Sequence, residues 1–127
     1  MTLMLASRCT DSATVISAAG ELDATNTAEL TLYIAAEHPD AARPLVLDLA
    51  TLTFIDSSGL RILMDAHQRS RRHGSSLHLA APHERVIRLL ELTGLDQLLS
   101  THPTLEQALA AARHTPRMPM TALNLPT

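Results

Sequence analysis

The chain has 127 residues, a length suited to one domain, and its 46% hydrophobic content fills a core without disulfides or a structural metal. A formal charge of −3, no Trp, one Phe (Phe54) and one Tyr (Tyr33) leave neither the basic field nor the stacking surface that nucleic-acid binding uses, which excludes nucleic acid as a partner. The single cysteine, Cys9, rules out an internal disulfide; no signal peptide opens the chain, and no apolar run nears the roughly 20 residues of a membrane span, so a cytoplasmic protein with no membrane partner is expected.

Residues 3–9 and 14–18 are short, apolar or β-branched, and separated by Asp11-Ser12, the pattern of two strands in a hairpin. After Gly20-Glu21-Leu22-Asp23 a helix is expected to about Glu37, capped by Thr25 or Asn26, with Ala28, Leu32 and Ala35 on one face and Pro39 beyond its end. Leu45-Val46-Leu47-Asp48-Leu49 is nearly continuous in apolar residues and reads as a strand buried on both faces. A loop from Ala50 to Ile55 leads to Asp56-Ser57-Ser58-Gly59. Leu60, Leu63, Met64 and His67 then mark an amphipathic helix with Arg61, Asp65, Arg69 and Arg72 outside and Gly74 as its stop.

Further along come a strand at Leu77–Ala80, a helix from Glu84 to Leu92 closed by Gly94, and a short strand near Leu98–Thr101. A last helix from Thr104 has capping-box spacing to Gln107 and an inner face of Leu105, Ala108, Leu109 and Ala112. The order ββαβαβαβα implies an α/β fold, one mixed sheet of about five strands with helices packed against it. The domain is placed at 1–113. Residues 114–127, with Pro116, Pro119 and Pro126 and no apolar period, read as a flexible tail.

The serine pair sits where a loop turns into a helix, so unpaired amides and the helix dipole favour a phosphate there, and Gly59 leaves the approach uncrowded. The alternative is that Asp56 or Ser57 only caps the helix. No catalytic residue is assigned, because the G-x-S-x-G elbow and the phosphate-binding glycine loops are absent. No metal or cofactor is expected either: His67, His73, His78, His83, His102 and His114 are scattered without an H-x-x-x-H pair and read as surface or rim residues. The basic cluster Arg69, Arg71 and Arg72 opposes its helix dipole, and Cys9 reads as an inert core residue.

Three pieces in order, Gly20-Glu21-Leu22-Asp23, Leu47 through Leu60 with Phe54-Ile55-Asp56-Ser57-Ser58-Gly59 at its centre, and Leu92-Thr93-Gly94-Leu95, are similar to the STAS domain, and within it to the stand-alone bacterial anti-sigma-factor antagonists. The resemblance covers residues 5–112. It implies a STAS fold and partner switching: the unphosphorylated protein binds an anti-sigma factor that is also a serine kinase, and so frees the sigma factor. Phosphorylation of the second serine, Ser58, switches it off, and a serine phosphatase reverses the modification. The resemblance makes Asp23, Asp56, Ser57, Gly59, Leu60 and Arg61 partner-binding residues. Arg61 stands where many relatives carry a small side chain, and Thr115 and Thr121 lie past the family's usual end. The other reading is an unphosphorylated STAS scaffold module of a stressosome-like or transporter complex.

Overall fold

The computed structural model describes residues 2–114. Ten regular elements follow one another: β1 (Leu3–Cys9), β2 (Thr14–Leu22), α1 (Thr27–Glu37), β3 (Leu45–Asp48), β4 (Leu52–Ile55), α2 (Ser57–Arg72), β5 (Leu77–Ala80), α3 (Glu84–Thr93), β6 (Ser100–His102) and α4 (Leu105–His114), with a 3-10 turn at Leu95–Gln97 before β6. The strands form one mixed sheet in the order β1-β2-β3-β5-β6, with β4 paired to β2 off that path. The hairpin β1–β2 is antiparallel and every other pairing is parallel.

Strand alternation sends side chains to two unlike faces. Ile16, Ala18 and Leu22 of β2, Leu45 and Leu47 of β3, and Leu77 and Leu79 of β5 point to a large cluster with Leu30 and Ile34 of α1, Leu60 and Leu63 of α2, and Val86 and Leu90 of α3. Val15, Val46 and Ala80, the intervening positions, meet Ala108 and Ala112 of α4 in a second, smaller cluster. The continuous apolar run of β3 is thus explained by burial from both sides, as its composition implied.

Several sequence expectations are corrected. The segment 50–55 is not a loop throughout, since Leu52–Ile55 forms β4; the second strand runs to Leu22 and not to residue 18, and the last lies at Ser100–His102. The face of α1 is different as well: Leu30 and Ile34 are buried, whereas Ala28 and Ala35 are exposed and Leu32 is 71% exposed. Ala and Leu occur all round this helix, so its period alone does not choose a side. Cys9 is exposed at the end of the edge strand β1.

His78 is buried, contrary to its surface reading, and so is His38. His38 Nε2 donates to the Arg43 carbonyl at 2.6 Å and Nδ1 accepts from the Arg69 guanidinium at 3.0 Å, so Arg69 ties α2 to the end of α1 as well as facing its own helix dipole. Burial, the largest cause, holds the His38 pKa below its usual value.

Other expectations hold. Gly74 follows α2 with positive φ, and the bonds from Gly74 N to Arg71 O at 3.1 Å and Ser75 N to Ser70 O at 2.8 Å complete a Schellman stop. Gly94 closes α3 in the left-handed conformation, and the Thr104 hydroxyl accepts from Gln107 N at 3.1 Å. His114 belongs to α4, so the expected tail loses that residue; positions 115–127, with Thr115 and Thr121, lie outside the described residues.

Candidate functional site

The two motifs that stand 33 residues apart in sequence are joined by the short strand β4. Parallel pairing sets Leu22 beside Ile55, and Asp56 N donates to Leu22 O at 3.2 Å, so Asp23 and Asp56 emerge from neighbouring strand ends. Helices α1 and α2 both start there. The carboxyl ends of parallel strands, where chain segments diverge, are where α/β folds place their sites.

Gly20 makes the first half possible. It has φ of +102° at the irregularity where β2 turns from β3 to β4, and a Cβ there would lie 2.1 Å from the Thr2 carbonyl oxygen. Beyond it, Asn26 is buried and braces the turn: its side chain donates to Glu21 O and accepts from Asp23 N, both at 2.9 Å. Asn26 is the first residue before α1, yet its side chain caps nothing in that helix. The Thr25 hydroxyl and amide donate to Asp23 Oδ1; these two bonds, the hydroxyl's first, hold the Asp23 carboxyl below the ordinary carboxylate range. Asp23 is therefore a fixed, ionised group at the site's edge.

The second half is built on Asp56. Its carboxylate accepts from Ser58 N at 2.9 Å and Gly59 N at 3.2 Å, while its carbonyl accepts from Leu60 N at 3.0 Å. Asp56, and not Ser57, is the cap. This changes the electrostatics read from sequence, because the amides of Ser58 and Gly59 are already engaged by a carboxylate. A phosphate at this helix start meets a negative neighbour and must displace it to take those amides.

The five residues after Asp56 divide between surface and core. Ser57 and Arg61 are exposed and Ser58 is half-buried. Gly59 and Leu60 turn inward: Leu60 is only 5% exposed and belongs to the large core. Gly59 does not open an approach to the serines. A Cβ on it would meet Ile55 Cγ1 at 2.5 Å and Leu22 Cδ2 at 3.0 Å, so glycine is needed for α2 to pack down on β2 and β4.

One surface on β4, the strand that leads into the serine pair, escaped the sequence reading. Phe54, two positions before Asp56, is 39% exposed and lines a groove with Leu89, Arg85 and Arg88 of α3 and with Leu92, which is 75% exposed. The signal available was the i, i+3, i+4, i+7 spacing of Arg85, Arg88, Leu89 and Leu92. Among the described residues, no group of three or more His, Cys, Asp or Glu side chains is arranged to hold a metal, and no helix is long and apolar enough to cross a membrane.

Comparisons with known proteins agree with this architecture. The model of the STAS domain matches residues 4–108. The anti-sigma-F factor antagonist RsfA of Mycobacterium tuberculosis is 36% identical over 103 residues, covering 80% of each chain. An anti-sigma factor antagonist of Mycobacterium paratuberculosis superposes with a TM-score of 0.73 at 31% identity, covering 88% of this chain and 95% of that one. SpoIIAA, a Bacillus cell fate determinant, shares the fold: its unphosphorylated form has a TM-score of 0.66 at 19% identity (89% and 99% covered) and its phosphorylated form 0.65 at 21% (88% and 100%). With the match spanning both strand-end motifs and the sheet that joins them, the chain belongs to the STAS domain family.

Proposed function

We propose that the protein is an anti-sigma factor antagonist whose unphosphorylated form binds an anti-sigma factor with serine kinase activity and releases the sigma factor. The carrying observation is the β2–β4 pairing, which gathers Asp23, Asp56, Ser57, Ser58 and Arg61 at one end of the sheet. The groove of Phe54, Leu89, Leu92, Arg85 and Arg88 enlarges that surface with an apolar strip and two guanidinium groups. The names of the mycobacterial relatives support the same reading.

Phosphorylation of Ser58 is the off switch. It adds about −1.5 to −2 charges beside the Asp56 carboxylate. With the neighbouring amides already engaged, the phosphate either remains exposed toward the partner or displaces Asp56 and disturbs the helix start. Burying it unpaired in the complex opposes binding, and each ~1.4 kcal/mol weakens affinity tenfold. A serine phosphatase resets the protein. A second reading takes Ser57 as the phosphate acceptor, and it is favoured by one observation: the Ser57 side chain is exposed, whereas Ser58 is half-buried.

The test is incubation of the full chain with candidate anti-sigma kinases of the same genome and ATP, followed by intact mass and peptide mapping. One phosphate, abolished by Ser58→Ala and retained by Ser57→Ala, with loss of the complex, is the expected result; the reverse assignment selects Ser57. Binding without phosphate transfer supports the scaffold reading instead. Failure of Ser58→Asp and Ser57→Asp alike to weaken the complex would overturn the switch.

A further inference from the structure

On the sheet face away from α1, α2 and α3, two histidines are bonded to each other. His78 Nδ1 lies 3.0 Å from His102 Nε2, with ring centroids 5.1 Å apart, and His78 Nε2 lies 2.9 Å from the Ser76 hydroxyl. His78 shares the face of Ala80, is 5% exposed, and pairs in register with Val46 of β3 and Ser100 of β6. A hydrogen bond between two imidazoles needs one to donate and the other to accept, so it exists only while at least one of the facing nitrogens carries no proton. Two imidazolium rings at that distance would repel.

What lies over this face among the described residues is thin. Helix α4 contributes Ala108 and Ala112, with Leu105 and Leu109 partly buried beside them. Asp48 of β3 lies on the same face, in register with Ala80, and its carboxylate accepts from Ala50 N at 3.1 Å; among the described residues no carboxylate shifts the titration of either ring. Burial, then the charge of His102, are the causes acting on His78; burial alone acts on His102. From β3 the pair meets Val46, from the residue just before β5 the Ser76 hydroxyl, and the charged residues of α4, Glu106 and Arg113, are exposed.

We propose that His78 and His102 form an acid-sensitive latch: the neutral pair holds β6 and α4 on the sheet, and its protonation releases them while the face bearing the serine pair stays folded. An unfolded or detached His78 titrates near 6.5, against about 4 in place, so between pH 7 and pH 5 the opening equilibrium rises about twentyfold from this residue alone. Helix α4 is the element that responds, because Ala108 and Ala112 with the partly buried Leu105 and Leu109 bury less apolar surface than the leucine face does.

The experiment is hydrogen exchange of the full chain at pH 7 and pH 5, corrected for the intrinsic rate and read by mass spectrometry. Protection in 100–113 is expected to fall at least tenfold while that of β2 and β3 holds. Simultaneous loss in α4, β2 and β3 would overturn the latch in favour of global acid unfolding, and so would unchanged protection in α4. NMR titration of the wild-type imidazoles gives a variant-free check, since a His78 that titrates near 6.5 without any change in α4 contradicts the proposal. In His78→Gln/His102→Gln the pH dependence of α4 exchange is expected to vanish, and its persistence would also count against the pair.

Discussion

The two faces of the sheet are built on different physics. One buries Leu22, Leu30, Leu45, Leu47, Leu63, Leu79 and Leu90 almost completely and carries three helices; the other is a strip of Ala and Val beneath α4, with the buried His78 bonded to the half-buried His102 at its edge. Fully burying a leucine side chain is worth about 1.5–3 kcal/mol, and an alanine contributes a small part of that. The leucine face therefore anchors the end of the sheet where Asp23 and Asp56 emerge, whereas the alanine face depends on close approach and on neutral histidines. The lesson is that the candidate site rests on the stronger side.

That contrast can be broken by substitution. Leu63→Ala is expected to lose about 3–4 kcal/mol of unfolding free energy and Val46→Ala on the opposite face about 1–2 kcal/mol, read as shifts of the urea midpoint at constant slope. Equal losses would remove the distinction. Gly59→Ala comes next, at about 2 kcal/mol, because the new methyl collides with Ile55. The double variant with Ile55→Ala should lose less than the sum of the two, and strict additivity would show that the contact does not set the position of α2.

Asp56→Ala removes the cap of α2 and should lower stability by about 1 kcal/mol while leaving the core untouched; circular dichroism melts of the variant against Asp56→Asn check it. The mildest perturbation is acid. His38, His78 and His102 all have folded pKa values below the usual 6.5, so the unfolded chain binds protons more readily. Stability from these groups is complete above about pH 6.5 and is lost as pH falls toward the folded values, about 4 for His78. Urea titrations at pH 7.5 and 6 should show a small loss, with His78→Gln reducing its pH slope; a rise in stability toward pH 6 would reverse the assignment.

Much of the fold was legible because the relevant forces are local. Helix α2 could be read from Leu60, Leu63 and Gly74, α3 from its closing Gly94, and α4 from the Thr104 to Gln107 cap, since each is a matter of period and end chemistry within one segment. Strand β4 was not. Leu52-Thr53-Phe54-Ile55 is four residues long and, among the described residues, its ladder is with the far end of β2, so no local pattern announces it. The site followed the same division: Asp23, Asp56 and both serines were named from the chain, but the inward turn of Gly59 and Leu60 and the groove around Phe54 and Leu92 were not.

By itself, the sequence determined the helices and every strand but β4, where α2 begins, and that the serine pair stands at that beginning, because hydrophobic period and capping act over a few residues. Only the tertiary structure decided that Asp23 stands beside Asp56 and that His78 faces His102. Those are pairings between segments 24 or more residues apart. They arise when strands choose neighbours and register, a choice made by the burial of whole faces and by no single stretch of chain.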